Sequence, residues 1–242
     1  MEKQLDIVKY LDSTYLKTAN EAGITELENK AIVLLFIDEA IIAEFACIMI
    51  RPKFVLIAKE RIAQTKSKLK IGTVIDFPFG NNTTAQKLIE AESALRDGAY
   101  DIDFVCDYNA FKRGSFEKFD NDILQGTKIV LARKRIVKWI IETGALSRDE
   151  IRNISKRITQ IVEENFPAQQ KKVFIKTSTG YYGGYGASVK DLKIIKSVVG
   201  NLQIKASGGI SDLKGCYNMI RAGATRIGSS KALLIYNESK EK

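Results

Sequence analysis

The sequence predicts an α/β fold, a single (β/α)8 barrel spanning residues 1–242, and three observations predict it. One alternation recurs from end to end: a short β-like run, a turn, then an amphipathic stretch, the order that builds a parallel sheet. Eight candidate strands can be counted, the number that closes a TIM barrel. No linker, low-complexity tract or compositional shift divides the 242 residues, and 45% hydrophobic side chains with only three prolines suffice for one large core. Length alone fits two small domains equally well, so the alternation decides.

The candidate strands lie near Tyr10–Tyr15, Phe45–Ile50, Ile71–Phe77, Tyr100–Cys106, Ile136–Ile141, Lys172–Lys176, Leu202–Ala206 and Thr225–Gly228. Helices between them are legible from period and caps. Ile151, Ile154, Ile158, Ile161 and Val162 fall on one helical face, and Ser147 with Glu150 forms the capping-box pattern that starts that helix. Leu213, Cys216, Met219 and Ile220 repeat the period after Ser211, the predicted N-cap.

Composition excludes several chemistries. The chain has no histidine, which removes Ser/His and Cys/His triads and every His-ligated zinc site. Cys47, Cys106 and Cys216 are odd in number, far apart and set among apolar residues, so they read as core rather than as a disulfide framework or a thiolate metal site. The amino-terminal MEKQLDIVKYLD has no basic segment leading an apolar one, and the longest apolar run, Ala31 to Ile37, stops at Asp38 and Glu39. A cytoplasmic protein with no membrane partner is expected. The net charge of +9 raises nucleic acid as a partner, yet the densest basic stretches, LARKRIVK and KSKLK, alternate with apolar residues as solvated faces do, and no aromatics interleave for base stacking.

Both faces of a strand in a closed parallel barrel are covered, so a polar residue inside a strand needs a partner or a task. Side-chain alternation puts Lys176 with Phe174 towards the axis of the sixth strand and Val173 with Ile175 towards the helices. The same rule turns inward Gln203 and Lys205, Asp101 and Asp103, Lys138 and Glu142, and Asp12 and Thr14. Lys176 and Lys205 end neighbouring strands about 4.8 Å apart. A like charge and partial burial both lower a lysine pKa, leaving free amine for imine formation with an aldehyde. The alternative is that both lysines snorkel past the strand ends into water.

Glycine and serine follow the last two strands. Ser207, Gly208, Gly209, Ile210 and Ser211 lead into one helix, and Gly228, Ser229, Ser230 and Lys231 into the next. Exposed N–H groups at helix N-termini favour an anion, and these two loops are the usual phosphate site of such barrels.

At these residues the sequence resembles the deoxyribose-phosphate aldolases, over nearly its whole length. VFIKTSTGYYGGYGAS is similar to the family's Schiff-base motif, QIKASGGIS to its second-lysine motif and RAGATRIGSS to its phosphate-binding end. YLDSTYLK, FACIMIRP, VIDFPFGNNTT, DIDFVCDYNAFKRG and VKWIIETGAL follow the family's order. The resemblance implies that Lys176 forms the imine, Lys205 perturbs it, Asp103 shuttles protons and Asp12 pairs with Lys205. It implies phosphate contacts at Thr179, Gly180, Gly208, Gly209, Gly228, Ser229 and Ser230; Lys231, which departs from the small or polar residue of the family, is expected to add its ammonium group to that phosphate site. Ser13 stands where a histidine is common, the stretch from Lys17 to Lys30 is longer than its counterpart, and NESKEK ends without the tyrosine some members use.

The expected reaction is reversible cleavage of 2-deoxy-D-ribose 5-phosphate to D-glyceraldehyde 3-phosphate and acetaldehyde, with no cofactor and no metal. The partners are then small sugar phosphates and aldehydes, not nucleic acid, and a homo-oligomer is expected, with a dimer favoured. The alternatives are a class I aldolase for another phosphorylated aldehyde or ketose, a phosphate-binding isomerase working without an imine, and a basic nucleic-acid-binding barrel without catalysis.

Overall fold

The fold comes from a computed structural model, which describes residues 5–241. Residues 1–4 and 242, and what the sequence suggests about them, lie outside that range. Each β-like run of the sequence becomes a strand: β1 Leu11–Tyr15, β2 Cys47–Ile50, β3 Lys70–Ile75, β4 Asp101–Val105, β5 Ile136–Ile140, β6 Val173–Lys176, β7 Gln203–Ser207 and β8 Arg226–Ser229. They pair in parallel in sequence order, and β8 pairs back onto β1 through Asp12 opposite Gly228, which closes the barrel. Closure leaves no exposed sheet edge.

The main helix after each strand packs on the outside: α1 Glu26–Ile42, α2 Val55–Ala63, α3 Thr84–Asp97, α4 Phe116–Ala132, α5 Arg148–Asn165, α6 Val189–Lys196, α7 Leu213–Arg221 and α8 Ala232–Lys240. Three of them start with complete capping boxes, Thr25 with Glu28, Thr83 with Gln86 and Ser147 with Glu150. At α7 the expected cap shifts by one residue. Asp212, not Ser211, is the N-cap, because its carboxylate accepts the Gly215 N–H at 2.6 Å, and Ser211 faces the cavity described below.

The main apolar core fills the layer between sheet and helices. Val173 and Ile175 point there, as alternation requires, and Trp139 of β5 stacks on Phe104 of β4 at 4.7 Å while its indole N–H donates to Thr127 of α4 at 3.0 Å. Cys47, Cys106 and Cys216 are all buried free thiols. Inside the barrel the filling is divided. Cys47, Met49 and Val74 of β2 and β3 join Leu16 in a small apolar cluster, whereas β1, β4, β5, β6, β7 and β8 contribute charged side chains. Among the described residues no helix is long and apolar enough to cross a membrane.

Candidate active site

The register of β6 and β7 sets Lys176 opposite Lys205, as strand counting predicts. Their ammonium groups are not left to repel each other across a gap. Both reach one oxygen of Asp103, Lys176 at 3.0 Å and Lys205 at 2.9 Å. The second oxygen of Asp103 accepts from Lys138 at 2.8 Å, and Lys138 also donates to Asp101 at 2.6 Å. Lys205 continues the chain to Asp12 at 2.6 Å. The strands thus bring Lys176, Lys205, Asp103 and Asp12 together, and all four are buried. Neither lysine snorkels to water.

Burial decides how these groups titrate. Loss of hydration lowers the Lys176 pKa most; Asp103 opposes this, Lys205 and Lys138 add to it, and the balance is about 8. The like charge foreseen from the sequence is therefore real but secondary. For Asp103 burial alone would raise the pKa, but Lys138, Lys205 and Lys176 together hold it well below the usual carboxylate range. Asp12 follows the same pattern: burial raises its pKa, and Arg226, Lys205 and Lys138 outweigh that to lower it. Lys138 belongs to the basic stretch LARKRIVK, yet it points inward as alternation on β5 requires and is fully buried, because Asp101 and Asp103 compensate its charge.

Above Lys176 opens a cavity of about 930 Å³ at the C-terminal ends of the strands. Lys176 forms part of its floor. Its walls include every residue assigned to phosphate from the sequence: Thr179, Gly180, Gly208, Gly209, Gly228, Ser229, Ser230 and Lys231. Asp103, Lys205 and Asp12 lie beneath it rather than on its surface. Gly208 and Gly209 have φ of 88° and 71°, and a Cβ on Gly208 would fall 2.9 Å from the Gly186 Cα, so the loops after β6 and β7 approach this closely only without side chains. Among the described residues the N–H groups of Gly208, Gly209 and Ser230 have no acceptor within the protein. Some hydroxyls on this wall are already committed: Ser229 donates to the Ile210 carbonyl at 2.6 Å, and Thr179 donates to the Glu142 carboxylate. Glu142 is past the end of β5, not within it, and its neighbour here is Thr179.

Gln203, expected to point inward, takes no part in the ion-pair cluster. Gln203 is half-exposed at the start of β7 and bonds the Asn201 carbonyl at 3.3 Å. Gly228 sits under the Lys205 side chain, where a Cβ would lie 3.0 Å from Lys205 Cε, so it gives that lysine its path as well as lining the cavity. Sequence reasoning missed Arg226. Its guanidinium donates Nε–H to Asp12 at 2.7 Å and reaches Asp101 at 3.2 Å. Alternation on β8 carries the signal, since Arg226 and Gly228 are two residues apart and share the inner face. Asp12, Cys47 and Asp101 bring three ligand-type atoms within 4.8 Å of one another. Arg226, Lys205 and Lys138 already compensate both carboxylates, and burial first, then Asp101 and Asp12, hold Cys47 as a thiol, so this is an ion-pair cluster and not a metal cradle.

A buried, readily deprotonated lysine on a barrel strand, opening into a cavity with unpaired N–H donors, defines a lyase of the aldolase type. No protein-family profile matches the chain. Deoxyribose-phosphate aldolase 1 of Staphylococcus aureus (strain MSSA476) is 39% identical over 228 residues, covering 94% of each chain. The solved aldolase QR15 superposes with a TM-score of 0.80 at 32% identity, over 98% of this chain and 97% of that one. A tetrameric deoxyribose phosphate aldolase from Aeropyrum pernix, at 23% identity and TM-score 0.80 over 97% and 91%, shares the fold. The chain belongs to the deoxyribose-phosphate aldolase family.

Proposed function

We propose that the chain reversibly cleaves 2-deoxy-D-ribose 5-phosphate to D-glyceraldehyde 3-phosphate and acetaldehyde through an imine on Lys176. The observation that carries this reading is the amine of Lys176, buried, with a pKa lowered to about 8 and opening into the cavity lined by the N–H groups of Gly208, Gly209 and Ser230. The free Nζ attacks the open-chain aldehyde carbon, and loss of water gives an iminium ion. The hydroxyl on the carbon β to the iminium then loses its proton and becomes the carbonyl of D-glyceraldehyde 3-phosphate, which leaves as the bond between the α and β carbons breaks and its electron pair moves into the iminium to form an enamine. Protonation of the enamine carbon and hydrolysis release acetaldehyde and regenerate the amine.

Asp103 accepts the Lys176 N–H before reaction and lies below the cavity, so its part in moving the hydroxyl and enamine protons runs through water at the amine. Lys205 contributes positive charge beside Lys176, and Asp12 holds Lys205. The phosphate takes the N–H groups of the loops after β7 and β8, with the Lys231 ammonium beside them. The described barrel functions as one domain, acting in the cytoplasm as a homo-oligomer, a dimer in the first instance, which sedimentation would check.

Borohydride with acetaldehyde should leave one reduced adduct, on the peptide containing Lys176, and Lys176→Ala should lose both the adduct and cleavage while retaining the barrel's circular dichroism. A panel of phosphorylated aldehydes and ketoses should place 2-deoxyribose 5-phosphate first. An adduct elsewhere, or none, overturns the reading.

A further inference from the structure

The ion pairs inside the barrel form one continuous chain from its closed end to the cavity floor. Arg226 joins Asp12 and Asp101; these join Lys205 and Lys138; both lysines meet on Asp103; and Asp103 ends at Lys176. Arg226 is the member that enters from below, with its side chain only 12% exposed. It never reaches the cavity. The groups around it are Asp12 of β1, Cys47 of β2, Asp101 of β4, Lys138 of β5 and Lys205 of β7. Those around Lys176 are Asp103 of β4, Lys138 of β5, Lys205 of β7 and Glu142 beyond β5. Among the described residues Glu142 makes no salt bridge and so stands outside this chain; its carboxylate accepts from Thr179, and burial raises its pKa. Cys47 stays a neutral thiol.

Counting charge along the chain gives a simple result. Asp12, Asp101 and Asp103 are balanced one for one by Arg226, Lys138 and Lys205. The buried chain is neutral with Lys176 uncharged, and a proton on Lys176 adds one uncompensated charge to it. Buried charge without a counter-charge is strongly disfavoured, so the group that gives up its proton is the one left over.

We propose that Arg226 is a positioning residue for the aldolase reaction: by neutralising Asp12 and Asp101 from the closed end of the barrel, it leaves Lys176 as the surplus cation and so keeps its amine free to attack. The inference rests on the imine reading above. It makes predictions of opposite sign for opposite charge changes. Arg226→Gln leaves the chain one positive charge short of balance, which a proton on Lys176 restores, so the acid limb of imine formation moves to higher pH. Asp101→Asn removes a carboxylate and moves the limb to lower pH. The double variant R226Q/D101N restores the count and returns the limb towards its parental position. A unit charge about 10 Å away at an effective dielectric of about 20 moves a pKa by on the order of one unit, and shifts of that order are expected.

The test is the pH dependence of the rate of borohydride-trapped adduct formation at Lys176 with acetaldehyde, measured for the parent, R226Q, R226K, D101N and the double variant. R226K keeps the charge and should keep the parental limb. A parent that forms no adduct removes the imine reading itself. A parent that traps, with single variants whose limbs stay put or move the same way, overturns the role of Arg226 and leaves that reading standing. A merely structural arginine would lower the rate at every pH without moving the limb, and if R226Q does not fold, a downward shift in D101N supports the count and its absence refutes it.

Discussion

Replacing Lys205 by methionine removes a positive charge while keeping an unbranched side chain of similar length. Lys176 and Lys205 share one Asp103 oxygen at 3.0 and 2.9 Å, so their nitrogens are at most 5.9 Å apart. At an effective dielectric of about 20, two unit charges at that distance repel by about 3 kcal/mol, or about two pKa units. The sign follows directly: without Lys205, the protonated form of Lys176 is less disfavoured and its pKa rises from about 8 towards about 10. Imine formation requires the deprotonated amine. At pH 7 the free fraction then falls from about one in ten to about one in a thousand, a loss of about a hundredfold that raising the pH restores. Burial lowers the Lys176 pKa more than Lys205 does, and Lys176 in the variant keeps the shift due to burial. The assay is a pH profile of borohydride trapping with acetaldehyde from pH 6 to 10, alongside cleavage. Stability is followed in parallel, since removing one member of a buried pair costs about 3–5 kcal/mol. A folded Lys205→Met protein with an unmoved acid limb would refute the electrostatic reasoning.

Asp103→Asn should still form the trapped imine with acetaldehyde but lose proton exchange at the enamine carbon by about 10²–10⁴-fold, read as deuterium uptake into acetaldehyde; undiminished uptake would take Asp103 out of the proton path. Gly228→Ala puts a methyl group 3.0 Å from Lys205 Cε and 3.1 Å from Ser207 Cβ, so Lys205 must give by a few tenths of an ångström and its hydrogen bonds to Asp12 and Asp103 lengthen; at about 1.5–3 kcal/mol for a charged hydrogen bond, losing one should lower kcat about tenfold, and an unchanged kcat counts against that path for Lys205. Unphosphorylated 2-deoxyribose should be at least about a hundredfold poorer in kcat/KM than its 5-phosphate, because two or more charged hydrogen bonds are lost. Lys231→Ala should weaken the phosphorylated substrate alone, and equal losses for both sugars would exclude an ammonium–phosphate contact.

Much of the barrel can be read from the sequence because each strand is short, apolar and bounded by turn residues; the strand ends read from it fall within two residues of those in the structure, as at Lys172–Lys176 against Val173–Lys176. Alternation also gives the inward set of Asp101, Asp103, Lys138, Lys176 and Lys205 correctly. What it does not give is who bonds to whom across the axis. Lys176 and Asp103 are 73 residues apart, and only the closure of the barrel makes them partners. The same holds for Arg226 and Asp12, separated by 214 residues, which is why an arginine at the foot of β8 escapes a reading centred on strand ends. The N-cap of α7 falls one residue beyond the predicted Ser211, because Ser211 and Asp212 are both good cap residues and only the folded backbone decides between them.

The reactive amine and the anion-recognising N–H groups are carried by different kinds of structure. Lys176 stands on a sheet strand hydrogen-bonded on both sides, and its ionic partners lie in the same rigid wall. The candidate anion contacts belong to loops beyond the strand ends, where Gly208, Gly209, Ser230 and Lys231 carry none of the amine's ion pairs. Evolution can therefore rewrite the recognition loops while the nucleophile keeps its tuning. Lineages built on this barrel can exchange one phosphorylated aldehyde for another by altering a few rim positions, and a library confined to Ser230, Lys231 and the turn after β7 should change substrate preference without dismantling the chemistry beneath.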